Sequence, residues 1–412
     1  MMKKITVTMS LILVLCMTAG LVSANVDQNT INNELIARGG RMDGMPGGMP
    51  GGAQNISETP GEVVLSTVEN TAAALTADLN NAETIVMSGS SAQVEIDEPG
   101  TYIITGTASD GNITVKKGTA GAVLVLQDLD LTSTKGAALS VNKEASALII
   151  ISGTVTLTDA ENAADEYSAD TETAEAYDGA ALKVKANASV RLTGDGTLNI
   201  DGTAKNGIKT GDGSSLIIDS LTLNVAAVND ALNAGYDLTI LSGTVTVWAN
   251  DDAIHADHIL TFGSEDGSGP VVNIVSSSEG LEGTVVNILG GEITVNSSDD
   301  AINAANKDDL YKGELTYSIN QLGGSVIVNS NGDGYDANGN INLIGGSAVI
   351  SSRANGGEAG IDYDGQYYIS ENFSLNNNSG VSGPDNFGGG MQGGQMPGGW
   401  GGQMPGGWGG RP

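Results

Sequence analysis

The phrase NDALNA at 229–234 decides the fold of this chain, because variants of it recur through the second half. The variants are DDAIHA (251–256), SEGLEG (278–283), DDAINA (299–304), GDGYDA (332–337) and GEAGID (357–362). With fainter copies earlier in the chain, their apolar residues are Leu139, Leu182, Ile208, Leu232, Ile254, Leu281, Ile302, Tyr335 and Ile361. The successive gaps of 43, 26, 24, 22, 27, 21, 33 and 26 residues are typical of a solenoid whose coils carry variable insertions.

The segments between the phrases alternate apolar and polar residues, as in TVTVW at 244–248 and EITVN at 292–296. This period-two alternation predicts strands, and the Gly-Gly or Ser-Gly pairs before them predict turns. Helical repeats have longer periods of roughly 33 to 47 residues, and the L-x-x-L-x-L pattern of leucine-rich repeats is missing. We therefore predict an all-β fold, a parallel β-helix of roughly ten coils whose inward aliphatic side chains stack about 4.8 Å apart.

The composition of the termini predicts the remaining segments. Lys3-Lys4, an apolar run and the small-residue site Val22-Ser23-Ala24 indicate a secretory signal peptide at 1–24. We predict a disordered linker at 25–60, an N-terminal capping region with a short helix at 61–97, the β-helix at 98–382 and a disordered Gly/Met/Pro/Trp-rich tail at 383–412. The mature protein is then secreted, extracellular or loosely associated with a cell surface, with no membrane span. It also lacks disulfides, since Cys16 is the single cysteine.

The C-terminal tail repeats GGQMPGGW, ending at Trp400 and Trp408. Such Gly/Pro tracts bury too little apolar surface to fold. The tail is either a flexible tether or a pair of indoles that stack on a polymer.

The chain has 49 Asp and Glu against 17 Lys and Arg, a formal net charge of −32. A charge of this sign and size argues against nucleic acid and anionic membrane surfaces as partners. Many of the acids need do no more than keep a secreted protein soluble.

Stacking of the coils places the acids of the phrases in columns. The column that precedes Ala or Gly holds Asp230, Asp252, Glu279, Asp300 and Asp333. Neighbouring carboxylates in it would lie roughly 5 Å apart, and at an effective dielectric of 20 each pair would repel by about 3 kcal/mol before screening. A second column, three residues later, holds Asn233, His255, Glu282, Asn303, Asp336 and Asp362.

This density of oxygen ligands predicts bound Ca²⁺, which takes six to eight of them; the alternative is a merely solvated acidic face. The predicted ligands are Asp230, Asp237, Asp251, Asp252, Asp257, Glu279, Asp299, Asp300, Asp333 and Asp336. His255 and His258 could instead recruit a transition metal or be ordinary polar surface.

Aromatic residues near the acids are candidates for carbohydrate binding. Strand alternation at 244–248 turns Val245 and Val247 inward and Trp248 outward, three residues before Asp251. An exposed indole can stack on a sugar ring, although Trp248 could equally cover a neighbouring turn. Tyr236 and Tyr335 are further candidates whose alternative role is packing.

The chain also resembles a known family in the order EPGTYIITGTASDGNITV (98–115), KGAALSV (135–141), DGAALKV (178–184), GDGTLNI (194–200) and NDALNA. It is similar to the secreted carbohydrate-binding β-helix proteins of clostridia and their relatives, which are shaped like pectate lyases. The resemblance implies a single-stranded, right-handed β-helix with bound calcium that binds plant cell-wall polysaccharide such as cellulose or polygalacturonate. By position it also implies Asp230, Asp251, Asp252, Asp299 and Asp300 as calcium ligands.

An enzymatic alternative remains beside the binding one. A pectate lyase would need a Lys or Arg base next to the calcium site, and Lys209 shares the second column with Asn233 and His255. Exposed acids around a lysine favour its protonated form, which is wrong for a base. We therefore predict a non-catalytic, monomeric carbohydrate-binding protein, with a polysaccharide lyase or a structural surface adhesin as alternatives.

Overall fold

The structure, a computed structural model, describes residues 56–160, 179–305, 310–311, 313–353 and 358–384. These residues form one parallel β-solenoid of about ten coils with thirty strands and one 3₁₀ helix, Thr71–Ala74. The predicted all-β parallel β-helix is therefore confirmed. In the described part of the chain, no helix is long and apolar enough to cross a bilayer.

The strands are β1 (Glu83–Gly89), β2 (Ala92–Ile96), β3 (Gly100–Ala108), β4 (Gly111–Val115), β5 (Ala120–Thr132), β6 (Leu139–Val141), β7 (Ser146–Ser152), β8 (Thr154–Thr158), β9 (Ala180–Val184), β10 (Ser189–Gly194), β11 (Thr197–Gly202), β12 (Asn206–Thr210), β13 (Ser215–Ile218), β14 (Thr222–Ala227), β15 (Leu232–Ala234), β16 (Asp237–Ile240), β17 (Thr244–Trp248), β18 (Ile254–Phe262), β19 (Val271–Ser277), β20 (Leu281–Ile288), β21 (Glu292–Ser297), β22 (Ile302–Ala304), β23 (Ser318–Gln321), β24 (Ser325–Ser330), β25 (Tyr335–Ala337), β26 (Asn340–Leu343), β27 (Gly346–Ser352), β28 (Ile361–Tyr363), β29 (Tyr367–Ile369) and β30 (Phe373–Asn377).

Each coil visits three parallel sheets in turn. Sheet A contains β2, β4, β6, β9, β12, β15, β22, β25, β28 and the first halves of β18 and β20. Sheet B contains β7, β10, β13, β16, β23, β26, β29, the second halves of β18 and β20, and the first halves of β1, β3 and β5. Sheet C contains the second halves of β1, β3 and β5, followed by β8, β11, β14, β17, β19, β21, β24, β27 and β30.

The apolar residues of the repeated phrase form one continuous column on the inner face of sheet A. Strand register pairs Leu139 with Leu182, and each later residue with the next, as far as Tyr335 with Ile361. Every member of the column is at most 1% exposed. One sequence repeat therefore corresponds to one coil, and its apolar residue recurs at the same position of the core in each coil.

The small residue before each apolar one lies at the tight corner where sheet C turns into sheet A. A Cβ added at Gly280 would lie 2.3 Å from Ala301 O and 2.4 Å from Val295 Cγ1. At Gly334 it would lie 2.4 Å from Gly360 O. Contacts this close leave no room for a Cβ at these two positions, so they require Gly. The equivalent Ala231, Ala253 and Ala301 on other coils are fully buried, which leaves no space for a larger side chain.

Residues 56–82, called the strap here, run lengthwise over the outer face of sheet B. Their hydrogen bonds follow the sheet from its last strand, β29, back to β3: Ser57 N donates to Tyr367 O at 2.8 Å, Gly61 N to Asn342 Oδ1 at 2.7 Å, Asn70 Nδ2 to Ser215 O at 3.0 Å and Asp78 N to Thr101 Oγ1 at 2.9 Å. The predicted capping helix is instead the 3₁₀ helix, which packs against β7 and β10 on the side of the solenoid. The predicted N-terminal cap at 61–97 is therefore wrong.

The boundaries of the solenoid also differ from the prediction. β1 and β2 fall within the predicted capping region, yet they pair in parallel with β3 and β4. The first coil therefore begins at Glu83 rather than near Glu98. The predicted signal peptide at 1–24 and almost all of the linker and the C-terminal tail lie outside the described residues.

Three stacked asparagines hold the strap to sheet B. Asn320 Nδ2 donates to Asn287 Oδ1 at 2.9 Å, and Asn342 Nδ2 donates to Asn320 Oδ1 at 2.7 Å. The strap completes both ends of this chain of amides, because Asn287 Nδ2 donates to Val64 O at 2.9 Å and Asn342 Oδ1 accepts from Gly61 N. All three side chains are fully buried, so each depends on its neighbours for its hydrogen bonds.

We expect Asn320→Ala to destabilise the protein by about 2–4 kcal/mol, because it leaves two buried amides short of a partner at roughly 1–3 kcal/mol each. Thermal unfolding should move down by about 4–8 °C. The matched control is Asn329→Ala, which removes an exposed Asn329–Asn296 hydrogen bond of 3.1 Å on sheet C. Equal losses in the two variants would contradict this role for the buried ladder.

Candidate functional site

The acids of the repeated phrases gather where sheet C turns into sheet A. In the turn itself, Ala231 N donates to Asp252 O, Ala253 N to Glu279 O, Gly280 N to Asp300 O and Ala301 N to Asp333 O, at 3.0–3.1 Å. These bonds place Asp230, Asp252, Glu279, Asp300 and Asp333 on successive coils, so the predicted first column exists. The second column also exists on the outer face of sheet A, where Asn233, His255, Glu282, Asn303, Asp336 and Asp362 are register partners. The two columns together are called the acidic ladder.

The ladder begins with a cluster of three aspartates. Oxygens of Asp230, Asp251 and Asp252 lie within 4.8 Å of one another. Asp230 is 4% exposed and accepts hydrogen bonds from the Asn229 and Asn233 amides and from Asp252 N. Asp251 is exposed, so the cluster opens to solvent on one side.

One coil further, His255 lies between three carboxylates. Its Nδ1 is 3.1 Å from Asp252 Oδ2 and 3.4 Å from Glu282 Oε2, and its Nε2 is 2.9 Å from Asp257 Oδ1. Burial opposes a charged imidazole, but the hydrogen bonds to these carboxylates outweigh it and raise the pKa of His255 well above its usual value. The imidazolium also holds the pKa of Glu282 below its usual value, again against the effect of burial.

The last part of the ladder holds two overlapping groups of acids. Oxygens of Asp300, Asp333 and Glu358 lie within 4.8 Å of one another, and so do those of Asp333, Asp336 and Asp362. Asp333 belongs to both groups, is 7% exposed and accepts a short hydrogen bond from Ala359 N. Its own N–H donates to Asp300 Oδ1 at 2.6 Å.

Burial raises the pKa of several ladder carboxyls, and their mutual repulsion adds to the effect. The pKa rises to about 6 for Asp300, to about 7 for Asp252, Asp333 and Asp336, and to about 8 for Glu279. A site that holds this many carboxyls so close together is poorly suited to carry all of their charges at neutral pH without a cation.

The donor set fits a hard divalent cation. Carboxylate and amide oxygens are the ligands that Ca²⁺ prefers, and the four groups of the ladder supply them at close range. Asn303 points the same way: its Nδ2 donates to Glu279 Oε2 at 2.9 Å, while its Oδ1 is buried and has no hydrogen-bond partner among the described residues. A buried amide oxygen between Glu282 and Asp336 in the same column is an acceptor that a cation would satisfy.

Not every predicted ligand joins the ladder groups. Asp299 is exposed beside Asp300, in none of the four groups. Asp257 also belongs to none of them and contacts His255 Nε2. Asp237 lies apart on β16 of sheet B, where it bonds Ser66 of the strap and His258 Nδ1. Because β16 begins one corner beyond the ladder, on sheet B, the Asp237 carboxylate contacts the strap and not the ladder.

The structure separates the three predicted carbohydrate-binding aromatics. Trp248 projects outward from the end of β17 and is 42% exposed, while Val245 and Val247 are buried, as the alternation predicts. Tyr335 is fully buried in the core column and donates its hydroxyl to Gln321 Oε1 at 2.8 Å. It cannot contact a sugar, so that prediction is wrong.

Tyr236 is half-buried in an aromatic cluster at the corner between sheets A and B. Its ring stacks on the His258 ring with centroids 4.1 Å apart, and Tyr311 meets both rings edge-on at 5.7 and 4.7 Å. Sequence reasoning missed Tyr311, because the loop before β23 carries no repeat signal.

Sequence reasoning also left out four residues that the structure brings into the ladder groups: His255, Glu282, Glu358 and Asp362. Three of them were recognised as members of the second column without being assigned as ligands. In the last phrase Ala359 holds the first-column position, and Glu358 precedes it by one residue. Glu358 therefore approaches the ladder because of the path of the turn and not because of strand register.

Comparisons with known proteins identify the family of this chain. A family model described as "Carbohydrate-binding domain-containing protein" matches residues 90–356, a range that includes most of the ladder. Among solved structures, the chain is similar to one described as the polysaccharide lyase-like protein from C. thermocellum, gadolinium derivative. The identity is 21%, the TM-score 0.36 and the coverage 71% of this chain and 90% of that one. No curated protein sequence matches the chain. Because the family model spans well over half of the sequence, this protein belongs to the family of carbohydrate-binding domain-containing proteins.

Proposed function

We propose that this protein is a secreted, non-catalytic, calcium-binding protein that recognises plant cell-wall polysaccharide, either cellulose or polygalacturonate or both. The family supplies the general property of carbohydrate binding. Calcium, the polymer and the lack of catalysis are the finer parts of the proposal, and each rests on features of the ladder and its surroundings.

Calcium is supported by the chemistry of the acidic ladder. Asp230, Asp251 and Asp252 would hold one ion, and Asp300, Asp333, Asp336, Glu358 and Asp362 would provide ligands at the other end. Bound Ca²⁺ would neutralise carboxylates that otherwise repel each other and could accept an oxygen of a sugar acid as a further ligand. The buried, unpartnered Asn303 Oδ1 favours a cation over a merely solvated acidic face.

The observation that carries the polysaccharide part is the exposed indole beside the ladder. Trp248 ends β17 on sheet C, and the chain then turns directly into Asp251 and Asp252. A sugar ring on the indole would gain apolar contact with its C–H face, and its hydroxyl or carboxyl groups would point toward the cation site.

The absence of catalysis is supported by the surroundings of Lys209, the best-placed candidate base. Its ammonium donates to Asn233 Oδ1 at 2.5 Å, and Asn233 in turn donates to Asp230. This arrangement binds the lysine into the ladder as a hydrogen-bond donor, whereas a base for β-elimination needs a neutral amine facing the substrate.

The direct test is a pull-down of the protein by insoluble cellulose and by polygalacturonate gel, with Ca²⁺ or with EDTA, while absorbance at 235 nm reports unsaturated products. We expect binding in Ca²⁺, weaker binding in EDTA and no new absorbance. Failure to bind either polymer in Ca²⁺ would refute the proposal. A rise in absorbance would establish a lyase and make Lys209 the first residue to substitute.

We expect Trp248→Ala to weaken binding to the polymer about tenfold or more, since loss of one stacked aromatic costs about 1–3 kcal/mol. Ile327→Ala is the matched control, because Ile327 is 43% exposed on the same sheet several coils away. Binding isotherms of both variants, with equal melting temperatures, separate recognition from stability. A Trp248 variant that binds like the control would remove the indole from the site.

A further inference from the structure

The other end of sheet A holds a polar groove that the ladder does not use. It has a concave volume of about 390 Å³ and extends over the first four coils, from Gln93 on β2 to Lys185 just after β9. Three rung spacings of about 4.8 Å give it a length of about 14 Å, which accommodates a short oligosaccharide.

Two lysines form part of the wall of this groove. Lys135 is exposed in the turn before β6, and Lys185 is half-buried where β9 ends. Among the described residues, no carboxylate lies within ion-pair distance of either ammonium, in contrast to Lys116 with Glu95 at 2.7 Å and Lys117 with Glu144 at 3.6 Å. Asp110, whose charge interacts with that of Lys135, is half-buried and accepts two hydrogen bonds from Thr134.

Part of sheet A carries lysines where the ladder carries acids. The column that carries Glu282, Asp336 and Asp362 in the ladder carries Lys183 and Lys209 on the fourth and fifth coils, after Glu95, Thr114 and Ser140 on the first three. Lys135 and Lys185 add two cations in the wall of the groove itself. Positive side chains in a groove attract an anionic ligand.

The floor of the groove carries neutral hydrogen-bonding groups in register. Gln93 pairs with Asn112 on the next coil, and Thr114 pairs with Ser140 in a second column. Asn142, just after β6, also lines the groove. Amides and hydroxyls both donate and accept hydrogen bonds, so this floor suits the hydroxyl groups of a sugar. The combination with lysines suits a sugar that also carries carboxylates.

We propose that this groove is a second carbohydrate site, which binds an acidic oligosaccharide of the uronate class through Lys135 and Lys185 without calcium. The two sites of sheet A then use opposite chemistry. The ladder needs a bound metal ion before it can attract an anionic ligand. The groove needs none, because its lysine side chains supply the positive charge. The groove extends the proposed function to a separate place, and it stands or falls independently of the ladder and Trp248.

The test is calorimetric titration of the protein with trigalacturonate in EDTA, with cellotriose as the neutral probe. We expect trigalacturonate to bind, cellotriose to bind much more weakly, and the affinity for trigalacturonate to fall steeply with salt. Lys135→Gln combined with Lys185→Gln should weaken binding about tenfold or more. Lys117→Gln combined with Lys143→Gln makes the same charge change on the second and third coils, outside the lining of the groove, and should leave affinity nearly unchanged.

Several outcomes would overturn the groove site. They are no binding of trigalacturonate in EDTA, equal binding of cellotriose, or equal losses in the two double variants with melting temperatures like that of the unsubstituted protein. If trigalacturonate fails to bind in EDTA while the polymers are still retained in Ca²⁺, the groove is refuted and the ladder function stands. Salt-sensitive binding in EDTA, together with retention of polymer that is equal in Ca²⁺ and in EDTA and unchanged by Trp248→Ala, would support the groove and refute the ladder function.

Discussion

In EDTA, the melting temperature of the protein will fall as the pH rises from 5 to 8. Burial raises the pKa of Asp300 to about 6, of Asp252, Asp333 and Asp336 to about 7, and of Glu279 to about 8. In the unfolded chain these acids titrate near pH 4. Above that pH the unfolded state loses protons that the folded state retains, so stability is lost until the pH has passed the folded-state pKa values.

The size of this loss follows from the same shifts. Each unit of pKa difference corresponds to about 1.4 kcal/mol, but the acids share one site and their effects are not additive. We expect a total of about 5 kcal/mol, or roughly 10 °C. The raised pKa of His255 acts in the same direction. The lowered pKa of Glu282 changes stability only at lower pH, where that carboxyl titrates, and leaves this range unaffected.

Calcium should cancel most of the loss. Ions compete with protons for the same oxygens, so the stabilisation by Ca²⁺ should be small at pH 5 and large at pH 8. Calorimetric melting in EDTA and in Ca²⁺ across this pH range gives both curves. If the melting temperature in EDTA stays constant or rises from pH 5 to 8, the ladder carboxyls do not have the raised pKa values that burial without a cation implies.

Asp333→Asn should remove most of the stabilisation by calcium while leaving the protein in EDTA as stable as before, or more so, at pH 8. Asp333 belongs to two of the four ligand groups, so one substitution weakens both. The amide retains an oxygen for Ala359 N and adds no charge to its neighbours. At a hundred times the dissociation constant, a lost ion is worth about 2.7 kcal/mol, or roughly 5 °C.

The matched control for this substitution is Asp97→Asn. Asp97 is an exposed acid on the first coil, and the change in net charge is the same. The measured quantity is the difference between melting temperatures in Ca²⁺ and in EDTA at pH 8. If both variants keep the full difference, the ion does not bind at Asp333.

The repeat and the ladder were predictable from sequence because both follow from register. Once Leu232, Ile254 and Ile302 are recognised as one core position, the residues two before and one after each of them must also stack. The columns of acids are therefore a consequence of the period. The same logic could have corrected the prediction for Tyr335, which occupies the core position of its own phrase and is buried there.

The strap could not be predicted in this way, because none of its contacts is local. Gly61 bonds Asn342, 281 residues away, and Asn70 bonds Ser215, 145 residues away. An Ala-rich stretch by itself favours a helix, but in the structure only Thr71–Ala74 forms one turn, since the remaining residues extend along sheet B. Asp237 was misassigned for a related reason: it follows the phrase closely in sequence but begins a strand of a different sheet.

The strap also brings the N-terminal end of the described chain back from the first coil, which begins at Glu83, to the last coil. Ile56 bridges to Tyr367 and Val381 bridges to Ile361, so both crossings are made on the last coil. A pulling force applied through the two termini would therefore load that single coil, and the stack between the groove and the ladder would carry no tension. An attachment made through either terminus would hold the solenoid by its last coil and leave both candidate binding sites along its side.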